Sequence, residues 1–136
     1  MLRHLFSPDA ALGPEMLLWG EPDDLRALAE RLTRFADTPT RLPLTEIDAC
    51  KAADGGTILL LPAGDKLGLC LASGSASIFH WRLSEALARS FAASSLSLAD
   101  RHPASGHQYL DSDADQEIAV RLSLNEYPPD FMAEGR

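Results

Sequence analysis

A chain of 136 residues, 46% hydrophobic and 24% charged, is sized for one globular domain (1–136) with its own core, and this composition excludes a disordered or fibrous protein. A formal charge of −8 argues against nucleic acid as a ligand, because phosphate binding requires clustered Lys and Arg. No apolar run approaches the roughly 20 residues that cross a bilayer. The opening "MLRHLFSPDAALGPE" also lacks the apolar stretch of a signal peptide, so a cytoplasmic protein without membrane contact is expected.

Taken in chain order, "EMLLWG" (15–20) reads as a short strand closed by Gly20. Pro22, Asp23 and Asp24 then place proline and carboxylates where a helix N-terminus favours them. Leu25, Leu28, Ala29, Leu32, Phe35 and Ala36 recur at spacings of three and four, which predicts a helix over 23–37 with Arg26, Glu30 and Arg34 toward water. "TRLPLTEID" reads as an extended edge segment, since Pro43 cannot donate to a central ladder, and "ADGG" (53–56) as a turn.

"TILLL" (57–61) is apolar on both faces and suits a central strand, and "PAGD" leads into "KLGLCLA", which is expected to return beside it as a meander hairpin. Residues 76–82 read either as the front of a second helix or as a strand, and in both cases the helix covers 83–95. After a loop at "RHPASG", "HQYLD" and "EIAVRLSLNEY" form an antiparallel pair. In this last segment Ile118, Val120, Leu122 and Leu124 alternate with Ala119, Arg121, Ser123 and Asn125, the mark of a half-buried strand. No internal repeat is visible. The sum is an α+β domain, a mainly antiparallel sheet with two helices packed on one face.

Chemical motifs are weighed against simpler readings. Asp111, Asp113 and Asp115 imitate the start of a calcium loop, but Gln116 occupies the glycine position and Leu122 the bidentate glutamate position, which leaves an acidic hairpin tip. "SGSAS" (73–77) lacks the second glycine of a nucleophile elbow, and no Gly-Lys-Ser/Thr follows it. The histidines show no zinc spacing, and Cys50 and Cys70 lack Cys-x-x-Cys pairing and are expected to be reduced. No catalytic residue, cofactor or metal is therefore expected. Residues 107–136 carry seven acids against two arginines, a net −5 that can steer a basic partner.

"LLWGEPDDLRALAERLTRFAD" and "HQYLDSDADQEIAVRLSLNEYPPDF" together resemble the pattern of small bacterial immunity proteins of polymorphic-toxin systems, over about a third of the chain. The resemblance implies a cytoplasmic α+β protein that blocks a cognate toxin without catalysis of its own. From the residues, the partner surface is expected at Tyr109, Asp111, Asp113, Asp115, Glu126, Tyr127 and Asp130, facing a protein with a basic cleft. One alternative is a small-molecule-binding or catalytic domain with a pocket near His80, Trp81 and Cys70, joined by His107. A second is a structural homodimer paired through a strand edge.

Overall fold

The periodic apolar residues from Leu25 to Ala36 form one buried stripe of helix α1 (Pro22–Asp37). This is seen in a computed structural model that describes residues 2–8, 13–44, 50–52, 56–64, 66–75, 77–101, 105–110 and 118–125. The Asp24 carboxylate closes the helix start by accepting from the Glu21 N–H at 2.9 Å. Gly20 makes room for it, since a Cβ there would lie 2.8 Å from that of Asp24. The second helix, α2 (Glu85–Ala99), begins at Ser84, whose hydroxyl accepts from the Leu87 N–H at 3.1 Å.

The strands are β1 (Leu2–Ser7), β2 (Glu15–Gly20), β3 (Leu42–Pro43), β4 (Cys50–Ala52), β5 (Thr57–Pro62), β6 (Gly68–Leu71), β7 (Ile78–Leu83), β8 (Gly106–Tyr109) and β9 (Ala119–Leu124). They build a five-stranded sheet in the order β4, β1, β2, β9, β8 and a four-stranded sheet in the order β3, β5, β7, β6. Pairing is antiparallel for β1/β2, β8/β9, β3/β5 and β6/β7, and parallel for β1/β4, β2/β9 and β5/β7. The expected α+β architecture is present, with the helices packed on each other and on the sheets. Both helices and the inner faces of both sheets share one apolar cluster, in which Phe6 meets Phe79 edge-to-face at 4.9 Å and Trp81 stacks on Phe91 at 5.8 Å.

One expectation is corrected and one open alternative is resolved. The meander of 57–61 with 67–72 does not form, because β7 lies between β5 and β6. Ile58, Leu59 and Leu60 are buried and need cover on both faces and both edges, whereas Leu71 is 38% exposed and suits an edge strand. The open question at 76–82 resolves to strand β7, whose outward Ile78, His80 and Arg82 alternate with buried Phe79, Trp81 and Leu83. Strands β1 and β4 also join the sheet where no strand was expected, and most of the turn expected at 53–56 lies outside the described residues.

The backbone also repeats an arrangement that the sequence does not display. An antiparallel strand pair, a helix and a second antiparallel pair occur twice, as β1/β2, α1, β3/β5, with β4 inserted between β3 and β5, and as β6/β7, α2, β8/β9. Residues 15–37 correspond to 78–100 at a constant offset of 63, so that the six buried positions of α1 (25, 28, 29, 32, 35, 36) match those of α2 (88, 91, 92, 95, 98, 99). The halves are interlocked, since β9 of the second lies parallel to β2 in the same six-residue register in which β5 of the first lies beside β7. Backbone bonds repeat with it: Asn125 N–H to Gly20 O at 3.0 Å matches Ala63 N–H to Leu83 O at 3.1 Å, and Leu110 N–H to Val120 O at 2.8 Å matches Leu44 N–H to Ile58 O at 2.9 Å.

Side chains obey the same relation. Arg26 pairs with Asp100 at 2.9 Å, and its counterpart Arg89 pairs with Asp37, the counterpart of Asp100, at 2.7 Å. These reciprocal bonds tie the start of each helix to the end of the other and hold both guanidinium groups above their ordinary pKa, chiefly by the hydrogen bonds to Asp100 and Asp37. Only Arg26/Arg89, Ala29/Ala92, Ala36/Ala99 and Asp37/Asp100 are identical across the two segments, which is why the duplication does not show as a repeat.

Both pairs are exposed, so Arg26→Ala and Arg89→Ala are expected to lower the melting temperature by small, equal amounts that shrink together as salt is added. A loss confined to one variant in thermal melts would contradict the equivalence. Trp81→Ala, which empties the shared core, is expected to cost about 3–5 kcal/mol in urea unfolding.

Candidate functional site

Residues that the core leaves unused lie on the outer face of each sheet, and two regions there carry polar chemistry. The first is the edge of the five-stranded sheet. Among the described residues β8 is its last strand, paired with β9. Its alternation turns His107 and Tyr109 to the exposed side, where their rings meet edge-to-face at 6.2 Å and Tyr109 remains 49% exposed. Tyr109 stands opposite Arg121 in the ladder, and His107 opposite Ser123.

Strand β9 is more enclosed than its alternation suggests. Ile118, Val120, Leu122 and Leu124 are buried as expected, but Ser123 on the other face is also fully buried. The cause is the parallel pairing with β2, which makes β9 a central strand and not the half-buried outer strand that alternation implied. Arg121 stands opposite Leu17 and reaches the neighbouring Glu15 on β2 at 3.1 Å, an ion pair in which Nε and Oε1 are not aligned as a hydrogen bond.

Among the expected partner residues, only Tyr109 is described; Asp111, Asp113, Asp115, Glu126, Tyr127 and Asp130 lie outside the described residues. Their approach is defined on both sides: the β8/β9 ladder runs from Gly106/Leu124 to Tyr109/Arg121, and Leu110 and Ile118, which flank the acidic segment, are buried. The antiparallel pair expected here is therefore present.

The second region is a depression of about 510 Å³ on the outer face of the four-stranded sheet, lined by residues of β6, β7 and the turn before β6. Cys70 and His80 face each other across the β6/β7 ladder, and Arg82 stands opposite Gly68. Gly64, Lys66, Leu67, Leu71 and Ser73 complete the wall. Of the four residues expected to share a pocket, two are brought together. Trp81 follows the opposite alternation into the core, and His107 belongs to the other sheet. Cys70 is a free thiol, whereas the side chain of Cys50 is outside the description.

Lys66 and Arg82 were not singled out from sequence. The signal was the alternation Ile78, His80, Arg82, which becomes an outward-facing row only once 78–83 is a strand. Among the described residues no group of three His, Cys, Asp or Glu side chains is placed to hold a metal ion. No helix among them is long and apolar enough to cross a membrane.

Comparison with protein-family models, curated proteins and solved structures finds no match to this chain.

The Glu15–Arg121 pair offers a direct check on the first face. Its side chains are only 19% and 27% exposed, so Arg121→Ala leaves a poorly solvated carboxylate on β2. Chemical denaturation is expected to show a loss of roughly 1–3 kcal/mol, with Glu15→Gln/Arg121→Ala recovering part of it.

Proposed function

We propose that this protein is a non-enzymatic protein-binding domain, an acidic inhibitor that acts in the manner of bacterial immunity proteins by covering the basic cleft of a cognate toxin. The observation that carries the reading is the exposed His107–Tyr109 ring pair on β8, the last strand of its sheet among the described residues, which runs directly into the sequence Asp111, Asp113, Asp115. An exposed aromatic pair at the end of a sheet supplies a contact anchor for another chain. The adjoining carboxylates supply long-range attraction to a basic surface, which accelerates association and discriminates against acidic partners. The net charge of −8 acts in the same direction.

In this reading Tyr109 is the anchor, Asp111, Asp113, Asp115, Glu126 and Asp130 form the charged surround, and Tyr127 adds a second aromatic contact. The protein works by occupying the partner's active site, so no catalytic group of its own is involved. The test is co-purification from the native host, followed by titration of the captured protein with defined variants. Tyr109→Ala is expected to weaken binding about tenfold or more, mainly through faster dissociation. Reversing Asp111, Asp113 and Asp115 to Lys is expected to slow association and to flatten its salt dependence. Unchanged binding by both variants, or a captured protein whose activity is not inhibited, would refute the proposal.

A further inference from the structure

The duplicated architecture supplies an internal control, because each position on one outer face has a counterpart on the other. The pairings place Cys70 where the first half has Leu5, and His80 where it has Leu17. Likewise Arg82 stands where the first half has Trp19, and Gly68 where it has Arg3. In the five-stranded sheet this face is filled, with Leu17 at 6% and Trp19 at 1% exposure. In the four-stranded sheet the large apolar pair is replaced by His80 and Arg82, the β6 positions carry glycine and cysteine, and an open depression of about 510 Å³ results. One fold position is thus packed in one half and polar and vacant in the other.

The walls of the depression have a definite chemical character. Lys66, Arg82 and His80 are its ionisable nitrogen groups, and none of the described residues lining it is acidic. The Arg82 guanidinium makes one long hydrogen bond, to the Pro62 carbonyl at 3.4 Å, and among the described residues no carboxylate is paired with it or with Lys66. Leu67, Leu71 and the Cys70 thiol give the same cavity an apolar floor and rim. Its volume is in the range of small-ligand sites.

We infer that this face binds a small organic anion, with an oxyanion head between Lys66 and Arg82 and an apolar body against Leu67, Cys70 and Leu71. A planar guanidinium suits bidentate contact with such a head, and the Lys66 ammonium adds a mobile point charge. His80 lies beside Arg82 on the same face of β7 and adds a ring nitrogen to the head group's side of the cavity. The inference uses the other sheet from β8 and stands independently of the partner reading.

The test is an amide-resonance titration of the full chain with phenyl phosphate, alongside inorganic phosphate and phenol as head and body alone. Saturable shifts at Gly68, Cys70, His80 and Arg82 are expected, with a dissociation constant of about 1 mM or below for phenyl phosphate and at least about tenfold weaker binding of either fragment. Lys66→Gln/Arg82→Gln, which changes only outward-facing side chains, is expected to weaken phenyl phosphate about tenfold or more. Cys70→Leu/His80→Leu installs the residues of the other half and is expected to abolish binding without lowering the melting temperature. Absence of saturable shifts, shifts centred on the other sheet, or equal binding by the Gln variant would overturn the inference. Inorganic phosphate binding as tightly as phenyl phosphate would overturn the apolar subsite.

Discussion

Two parallel strand pairings, β2 with β9 and β5 with β7, are the constraint on which the rest of this structure depends. Each joins strands from different halves of the chain, so neither sheet is complete within one half. The helices then have one shared surface to cover, and α1 and α2 pack on each other above it. The reciprocal pairs Arg26–Asp100 and Arg89–Asp37 lie at the two ends of that helix contact. Exposed ion pairs add little energy, and their matched placement reflects the symmetry of the packing more than it creates it. Stability comes from the apolar cluster that both halves feed.

The symmetry of the backbone is not matched by the chemistry of its surfaces. On the inner faces the halves agree in character: Met16 and Leu18 correspond to Phe79 and Trp81, all buried. On the outer faces they diverge. Trp19 and the Glu15–Arg121 pair fill one face, while His80 and Arg82 leave the other polar and hollow. Inner positions answer to a common core and are mostly apolar in both halves; where Ser95 takes the place of Leu32, its hydroxyl donates to the Phe91 carbonyl at 2.9 Å. Outer positions are released from that demand, and it is there that the two halves acquire separate chemistry. The edge strand β8 and the hollow face over β6 and β7 are the two regions where polar groups are presented without being consumed by packing.

The two helix caps show the same divergence on a smaller scale. In α1 the Asp24 carboxylate takes the Glu21 N–H, and Gly20 leaves it space. In α2 the Ser84 hydroxyl takes the N–H of Leu87, the residue equivalent to Asp24. Both devices satisfy a backbone group at the first turn, with the side chain drawn from opposite ends of that turn. The same backbone is reached by unlike sequences, which is why few identities survive between the halves.

Local periodicity was enough to determine much of this protein. The spacing of Leu25 to Ala36 is helical whatever surrounds it, "EMLLWG" and "TILLL" can hide their apolar atoms only as buried strands, and the alternation from Ile118 to Leu124 dictates an inward face. Those features are legible because they depend on neighbours within a few residues. Partner choice is not of that kind. Only the tertiary structure decided that β7 separates β5 from β6, that β9 is central because β2 lies beside it, and that Trp81 leaves the company of His80 and Cys70 for the core. It also decided that Lys66 and Arg82, 16 positions apart in the chain, share one cavity. Each of these is a contact between segments distant in sequence, selected by the joint demand that both sheets and both helices close over a single core.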